Sequence, residues 1–303
     1  MIEIYPLQKL DWSNYLDIVE YLDQNEFVQE FWSPIAITSW IFYGFDFYFH
    51  ALDDVVLFYI HSPYNDNHSY LLSTCFYKQD FQLSNFENLI LQDLKQLNNK
   101  EILQIDYDQI SWSMIHDWKL DVNNFEKYNY VCNYVYLLDN LKNFTGKNLQ
   151  KKRNNLHHFL NTNSEIKVVP IQVINKDEIL EFCKANMLET NGEINTNELN
   201  VYHQFIKYEM NKTSQYIGIA VYIGNILVGV TLCYLRKNIC EVIIERAKKS
   251  IRGLYQYLIS ENLKYHQVQQ KYMDRQDDNG QPMLAKSKDS YHPIYKIKKY
   301  YSK

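Results

Sequence analysis

The chain has 303 residues, 46% of them apolar, and a formal net charge of −5. That length is more than one core usually serves, and that apolar share excludes wholesale disorder, so two folded domains are expected. The charge is divided: residues 1–140 hold 6 Lys/Arg against 21 Asp/Glu, and residues 141–303 hold 25 against 15. A basic second half suits an anionic partner such as nucleic acid, a cofactor phosphate or a lipid headgroup; it equally suits attraction to the acidic first half. The five cysteines (Cys75, Cys132, Cys183, Cys233, Cys240) are scattered, odd in number and without CxxC spacing. A metal ribbon or disulfide framework is therefore not expected, and buried free thiols are. The opening MIEIYPLQKLDW has no basic region followed by an apolar core, so no signal peptide and a cytoplasmic location are expected.

In chain order, Asp11 or Ser13 can cap a first helix running to about Val28, and Ser33-Pro34 opens a second. Residues 45–50 and 55–60 read as a hairpin about Leu52-Asp53-Asp54, and residues 70–77 as another strand. A helix over 86–97 follows, then a short strand at 102–105 and closing strands at 118–122 and 128–137. Residues 138–144 read as a connection. Thr145 then caps a helix over 146–160, with Leu149, Arg153, Leu156 and Leu160 on one face. A strand (167–173), a helix opening at Asp177, a polar loop (191–197) and a helix over 198–210 follow.

The run from Tyr216 to Leu235 holds only two clearly polar side chains, Asn225 and Thr231, and is long enough to cross a bilayer. Gly224-Asn225 between β-branched runs instead predicts a hairpin. A third strand ends near Ile244, and a basic loop leads through Gly253 into a helix with Leu254/Leu258 and Tyr255/Ile259/Leu263 on one face. A strand at 268–273, a polar loop, a short helix at 283–288 and an edge strand in PIYKIKKYY complete the chain.

Three polar groups stand out. Lys147, Lys151, Lys152 and Arg153 make a basic helix, suited to phosphates or simply to solvent. Glu245 sits at a strand end, where a carboxylate can take a proton from an attacking amine or hydroxyl, or pair with Arg246 or Lys248. The segment from Asp274 to Pro293 gathers four acids, an Arg, two lysines and Tyr291 after a strand end. No P-loop, dinucleotide-binding GxGxxG or HExxH run is present.

These groups carry a resemblance. Asn133-Tyr-Val-Tyr136, Thr145-Gly-Lys147, Lys152-Arg153-Asn154, Glu198, Glu245-Arg-Ala247 and Ile251-Arg-Gly-Leu-Tyr255 belong to it. So do Asp274-Arg275, Asp278, Gly280, Leu284, Lys286, Lys288, Ser290-Tyr291 and Pro293, in register without a gap. On them the chain resembles the phosphatidylglycerol lysyltransferase C-terminal-domain-like family, related to the Fem peptidyltransferases. The resemblance implies a mixed α/β fold of two tandem N-acetyltransferase-like domains, each a mostly antiparallel sheet flanked by helices, over residues 1–138 and 139–303. It also implies transfer of an aminoacyl group from aminoacyl-tRNA, or of an acyl group from a thioester such as acyl-CoA, to an amine or hydroxyl. By position it implies that Glu245, Arg275, Asp278 and Tyr291 serve catalysis. Lys152, Arg153, Asn154, Glu198, Arg252, Gly253, Lys286, Lys288 and Ser290 would bind substrate or cofactor. No tightly bound cofactor and no metal are expected; tRNA and an anionic lipid or small-molecule acceptor are the expected partners, with no transmembrane segment.

The chain departs from the pattern at Asp274, where the family commonly has Asn, at Gln276, where it has Glu, and at Ala285, where an Arg is usual. Those departures also fit a catalytically decayed, ligand- or RNA-binding protein of the same fold.

Overall fold

The computed structural model describes residues 3–24, 34–53, 55–64, 68–76 and 82–303. The chain forms two compact units, Met1–Cys132 with Ile297–Lys303, and Asn133–Lys296.

The first unit opens with β1 (Glu3–Leu10), α1 (Tyr15–Gln24) and α2 (Pro34–Ser39). Strands β2 (Asp46–Leu52), β3 (Val55–Ser62) and β4 (His68–Phe76) follow, then α3 (Glu87–Asn98), β5 (Ile110–Ser111), α4 (Trp112–Asp117) and β6 (Phe125–Leu137). Strands β1 to β4 pair antiparallel in that order. Every residue of β3 except His61 is buried, and Ile90 and Leu94 of α3 join its core. Asp93, on the same helix, is buried and accepts from Tyr59 Oη at 2.6 Å and His50 Nδ1 at 2.9 Å. The expected strand at 102–105 is a loop, and 118–122 is the turn leaving α4 rather than a strand. Ser111 caps α4 by accepting from the Met114 amide, which makes that segment helical. Strand β1 was not expected. The end of the first helix, Ser33, Asp54 and Tyr77 lie outside the described residues.

The second unit takes over within β6. It comprises α5 (Leu138–Asn143), α6 (Gln150–Thr162), β7 (Ile166–Pro170), α7 (Lys176–Asn191), α8 (Thr196–Gln204), β8 (Tyr216–Ile223), β9 (Ile226–Leu235) and β10 (Ile239–Ala247). Then come α9 (Leu254–Tyr265), β11 (Tyr272–Asp274) and α10 (Pro282–Asp289), and β12 (Tyr295–Ser302) passes back into the first unit at Ile297. The strand order is β6-β11-β10-β9-β8-β7. The apolar run is the hairpin β8–β9, with Ile223 opposite Ile226 and Gly224 at φ +59°. Leu258 of α9 packs on the sheet at Gly229, where a Cβ would lie 2.3 Å from its Cδ1.

Several expectations are corrected. Residues 138–143 are helical rather than a connection, and α6 starts at Gln150, because Thr145 Oγ1 bonds the Asn140 side chain instead of capping it. The tail is not an edge strand: β12 lies between β5 and β6. One pairing positions the site. Strands β10 and β11 are parallel, and their last paired residues are Glu241 and Asp274. Beyond that point β10 continues without β11, and the sheet opens at Glu245.

Candidate functional site

Glu245 projects where β11 has ended. The chain beyond β11 turns back and places Arg275 against it: Nη2 donates to Glu245 Oε1 at 2.5 Å and Nε to Oε2 at 3.2 Å. Both side chains are 10% exposed. Such a fork binds a carboxylate with fixed geometry. Burial opposes the Arg275 charge, but Glu245, Tyr291 and Tyr136 outweigh it and raise its pKa. The remaining terminal nitrogen, Nη1, is buried and has no hydrogen-bond partner.

Two tyrosine rings flank the guanidinium. Its Cζ lies 4.6 Å from the ring centre of Tyr291 and 5.8 Å from that of Tyr136, in cation–π range. Tyr291 is buried, and its hydroxyl accepts from Gln256 Nε2 of α9 at 2.5 Å. Burial raises the Tyr291 phenol's pKa, with Arg275 acting the other way. Lys152, in the first turn of α6, sets its Nζ 3.7 Å from the same ring centre and donates to Ser290 Oγ at 2.6 Å. Partial burial, with repulsion from Arg275 and Lys151, brings the Lys152 pKa down to about 8. Glu245, Arg275, Tyr291, Lys152 and Ser290 thus form one cluster.

Lys288 serves this cluster from behind. It is 8% exposed, and its ammonium donates to the carbonyls of Arg275 (2.5 Å), Gln276 (3.1 Å) and Asp277. Tyr136 Oη donates to the Lys288 carbonyl at 2.9 Å. Burial, joined by repulsion from Arg275, lowers the Lys288 pKa to about 8. Asp278 is 3% exposed and both its oxygens are taken, one by Tyr134 Oη at 2.6 Å and one by the Gly280 amide at 2.9 Å. It braces the turn and does not face the cluster's open side. Asp274 accepts from Asn133 Nδ2 at 2.6 Å and the Gln276 amide at 2.8 Å. Burial, with Glu241 nearby, pushes its pKa up to about 7.

The remaining sequence candidates lie elsewhere. Arg153 donates to the carbonyls of Phe144 (2.6 Å) and Gly146 (3.2 Å), closing the end of α5. Asn154 and Lys286 are exposed. Glu198 pairs with Arg246 and accepts from Tyr202 Oη at 2.5 Å. Arg246 follows Glu245 on β10, so this network is on the other face of the strand. Arg252 Nε donates to Asn155 Oδ1 at 3.1 Å. Gly253 stands at φ +87°, where a Cβ would lie 2.0 Å from the Asn155 carbonyl oxygen. This glycine therefore serves the close approach of α6 to the start of α9, and the loop before it holds no other glycine. Sequence reasoning missed Gln256 and the part of Tyr136, although Tyr136 lies in the quoted Asn133–Tyr136 run.

Among the described residues, no helix is long and apolar enough to cross a membrane.

Comparison with known proteins gives the same outline. The family model described as "Phosphatidylglycerol lysyltransferase, C-terminal" matches residues 103–303. An uncharacterized protein of Mycoplasmoides gallisepticum is 27% identical over 97% of this chain and 98% of its own length. A conserved protein of unknown function from Bacteroides thetaiotaomicron has a crystal structure that superposes with TM-score 0.78 at 21% identity, covering 100% of both chains. The C-terminal domain of a putative lysylphosphatidylglycerol synthetase from Agrobacterium fabrum superposes with TM-score 0.59 at 11% identity, over 96% of this chain and 90% of that one. The fold is mixed α/β of the tandem N-acetyltransferase-like kind.

Proposed function

From the premise that the chain belongs to the phosphatidylglycerol lysyltransferase C-terminal family, we propose that it is an acyltransferase working at the Glu245–Arg275 cluster. The donor is an aminoacyl-tRNA, and the acceptor an amine or hydroxyl, of an anionic lipid or a small molecule. The observation that carries this reading is the buried, unpartnered Nη1 of an arginine whose other two contacts fix it in place. Attack on an ester carbonyl puts negative charge on its oxygen. A preoriented cationic N–H in a site with little water stabilises that charge, an effect worth about 10²–10³ in rate for one donor. Glu245 holds the donor still, and the rings of Tyr136 and Tyr291 keep it from turning.

Aminoacyl-tRNA is preferred over acyl-CoA because the loop entering α9 is short of glycine, and Gly253 is used for helix packing rather than for a phosphate. Exposed Lys147, Lys151, Lys249, Arg252 and Lys286 of the second unit supply cations for a polyanion.

The test is incubation of the purified protein with a panel of charged tRNAs and, separately, acetyl-CoA, following loss of the ester or thioester. Accelerated loss of aminoacyl ester that Arg275→Ala removes is expected. Neither loss nor binding with any donor overturns the reading. A second reading, a non-catalytic ligand-binding protein, is favoured by the engagement of both Glu245 oxygens and both Asp278 oxygens within the fold. Saturable ligand binding without turnover would select it.

A further inference from the structure

Lys152 and Ser290 meet at the open side of the cluster. Ser290 is exposed, at the end of α10, and its Oγ lies 2.6 Å from Lys152 Nζ. The same hydroxyl donates to the Ser287 carbonyl at 2.5 Å, which fixes its rotamer. Lys152 is held on its other side by the Tyr291 ring at 3.7 Å, and among the described residues no acidic side chain bonds it. Tyr291 follows Ser290 directly and carries Arg275 against the same ring. An exposed hydroxyl, an amine in hydrogen-bond contact with it, and a buried unpartnered N–H donor therefore converge on one tyrosine.

We infer that Ser290 and Lys152 form a nucleophile–base dyad that accepts the acyl group from the donor before passing it on. The inference rests on the acyl-transfer reading and makes that transfer stepwise. Neutral Lys152 takes the proton from Ser290 Oγ as that oxygen bonds to the ester carbonyl carbon. The carbonyl oxygen bears the negative charge opposite Arg275. The bond from carbon to the departing ribose oxygen then breaks, and the Lys152 ammonium returns its proton to that oxygen. The acyl-serine is next attacked by the acceptor amine or hydroxyl, whose proton passes to Lys152. Ser290 is released as the hydroxyl, so atoms and protons balance. A base must be within hydrogen-bond reach of the proton it takes and titrate near the working pH. Lys152 Nζ is within hydrogen-bond reach of Ser290 Oγ, and once Lys152 is neutral the hydroxyl proton has only to turn from the Ser287 carbonyl towards it. The Lys152 pKa, down to about 8, meets the second condition, and so acylation should quicken as pH rises through that value.

The experiment uses the full chain and p-nitrophenyl acetate, an activated ester that needs no tRNA. Wild type should release a burst of about one equivalent of nitrophenol per chain. Peptide mass spectrometry should place the acetyl group on Ser290, as a hydroxylamine-labile ester. Ser290→Ala should abolish the burst. Lys152→Arg keeps the positive charge but supplies no base, and should slow the burst about 10²-fold. A burst that maps elsewhere, no burst, or an undiminished rate in Lys152→Arg overturns the dyad. The two readings fail separately. If Ser290→Ala still consumes aminoacyl-tRNA at the wild-type rate, the dyad is wrong and direct transfer stands. If Ser290 is acetylated but no natural donor is consumed, the dyad stands and the transfer reading falls.

Discussion

Lys288 Nζ lies 2.5 Å from the carbonyl oxygen of Arg275 and donates to it, so the residue whose side chain is fixed by Glu245 has its main chain fixed by a buried ammonium. Two further carbonyls, of Gln276 and Asp277, depend on the same group. Lys288→Met keeps the stem and leaves all three oxygens without that donor. A loss of about 2–3 kcal/mol in urea unfolding at pH 7 is expected, with a larger loss of activity than of stability per mole folded. The pKa of this lysine falls from 10.5 to about 8 on folding. The unfolded chain binds its proton more tightly, so keeping Lys288 protonated offsets part of what its hydrogen bonds contribute below pH 8, and that cost fades as pH rises from 8 towards 10.5. Wild type should gain on the variant over that window.

Asp274 works in the opposite sense. Its pKa rises from 3.8 to about 7 on folding, so the folded state holds the proton more tightly. Stability from this group is present below pH 4 and is lost as pH rises through 7. Asp274→Asn removes the charge and keeps an acceptor for the Gln276 amide, while the Asn133 amide can turn over to accept. The variant should be more stable by about 1–2 kcal/mol at pH 8 and no more stable near pH 4. Thermal melts at the two pH values check this.

Gly253 and Gly280 both have positive φ, +87° and +67°. Only at Gly253 does a Cβ collide, 2.0 Å from a backbone oxygen; nothing lies within 4 Å at Gly280. Gly280→Ala should therefore cost about 1 kcal/mol, the conformational term alone. Gly253→Ala must also push α6 from α9 and should cost at least about 3 kcal/mol. Equal losses in calorimetry would contradict this account of the packing.

Arg275→Lys keeps one positive charge but not the fork. A lysine ammonium cannot meet both Glu245 oxygens and also present a third N–H at a fixed angle. Donor-ester consumption should fall about 10²-fold while the variant remains folded by circular dichroism. Retained activity would mean that the charge, not the directed N–H, is what matters.

Much of the fold is legible in the amino-acid order because it is locally encoded. The hairpin at Gly224-Asn225, the helix after Gly253 and the strand pair about residue 53 each follow from turn chemistry and periodicity. What escapes is set by distant partners. Residues 102–105 have a strand's composition, but no strand among the described residues pairs with them. The segment 118–122 is drawn into a turn because Ser111 caps the helix ahead of it. The candidate site behaves likewise. Spacing and resemblance single out Glu245, Arg275, Tyr291, Lys152 and Ser290, yet nothing local tells that Glu245 is engaged by Arg275 rather than free. Nor does it tell that Lys288 spends its ammonium on the loop's own carbonyls, or that Asp278 divides its oxygens between the Gly280 amide and the Tyr134 hydroxyl. Those assignments depend on β10 outrunning β11, a property of register.

The passage from one unit to the other falls inside β6, between Cys132 and Asn133, and again inside β12, between Lys296 and Ile297. This matters for anyone dissecting the chain. A fragment beginning at residue 139 would lack Asn133–Leu137, and with them the strand beside β11, the Tyr134 hydroxyl on Asp278 and the Tyr136 ring at Arg275. Such a fragment would carry every residue singled out for chemistry and still lack one wall of the place where they work. Deletion mapping of this protein should be planned by strands rather than by loops, and an inactive 139–303 fragment would say nothing about where activity resides.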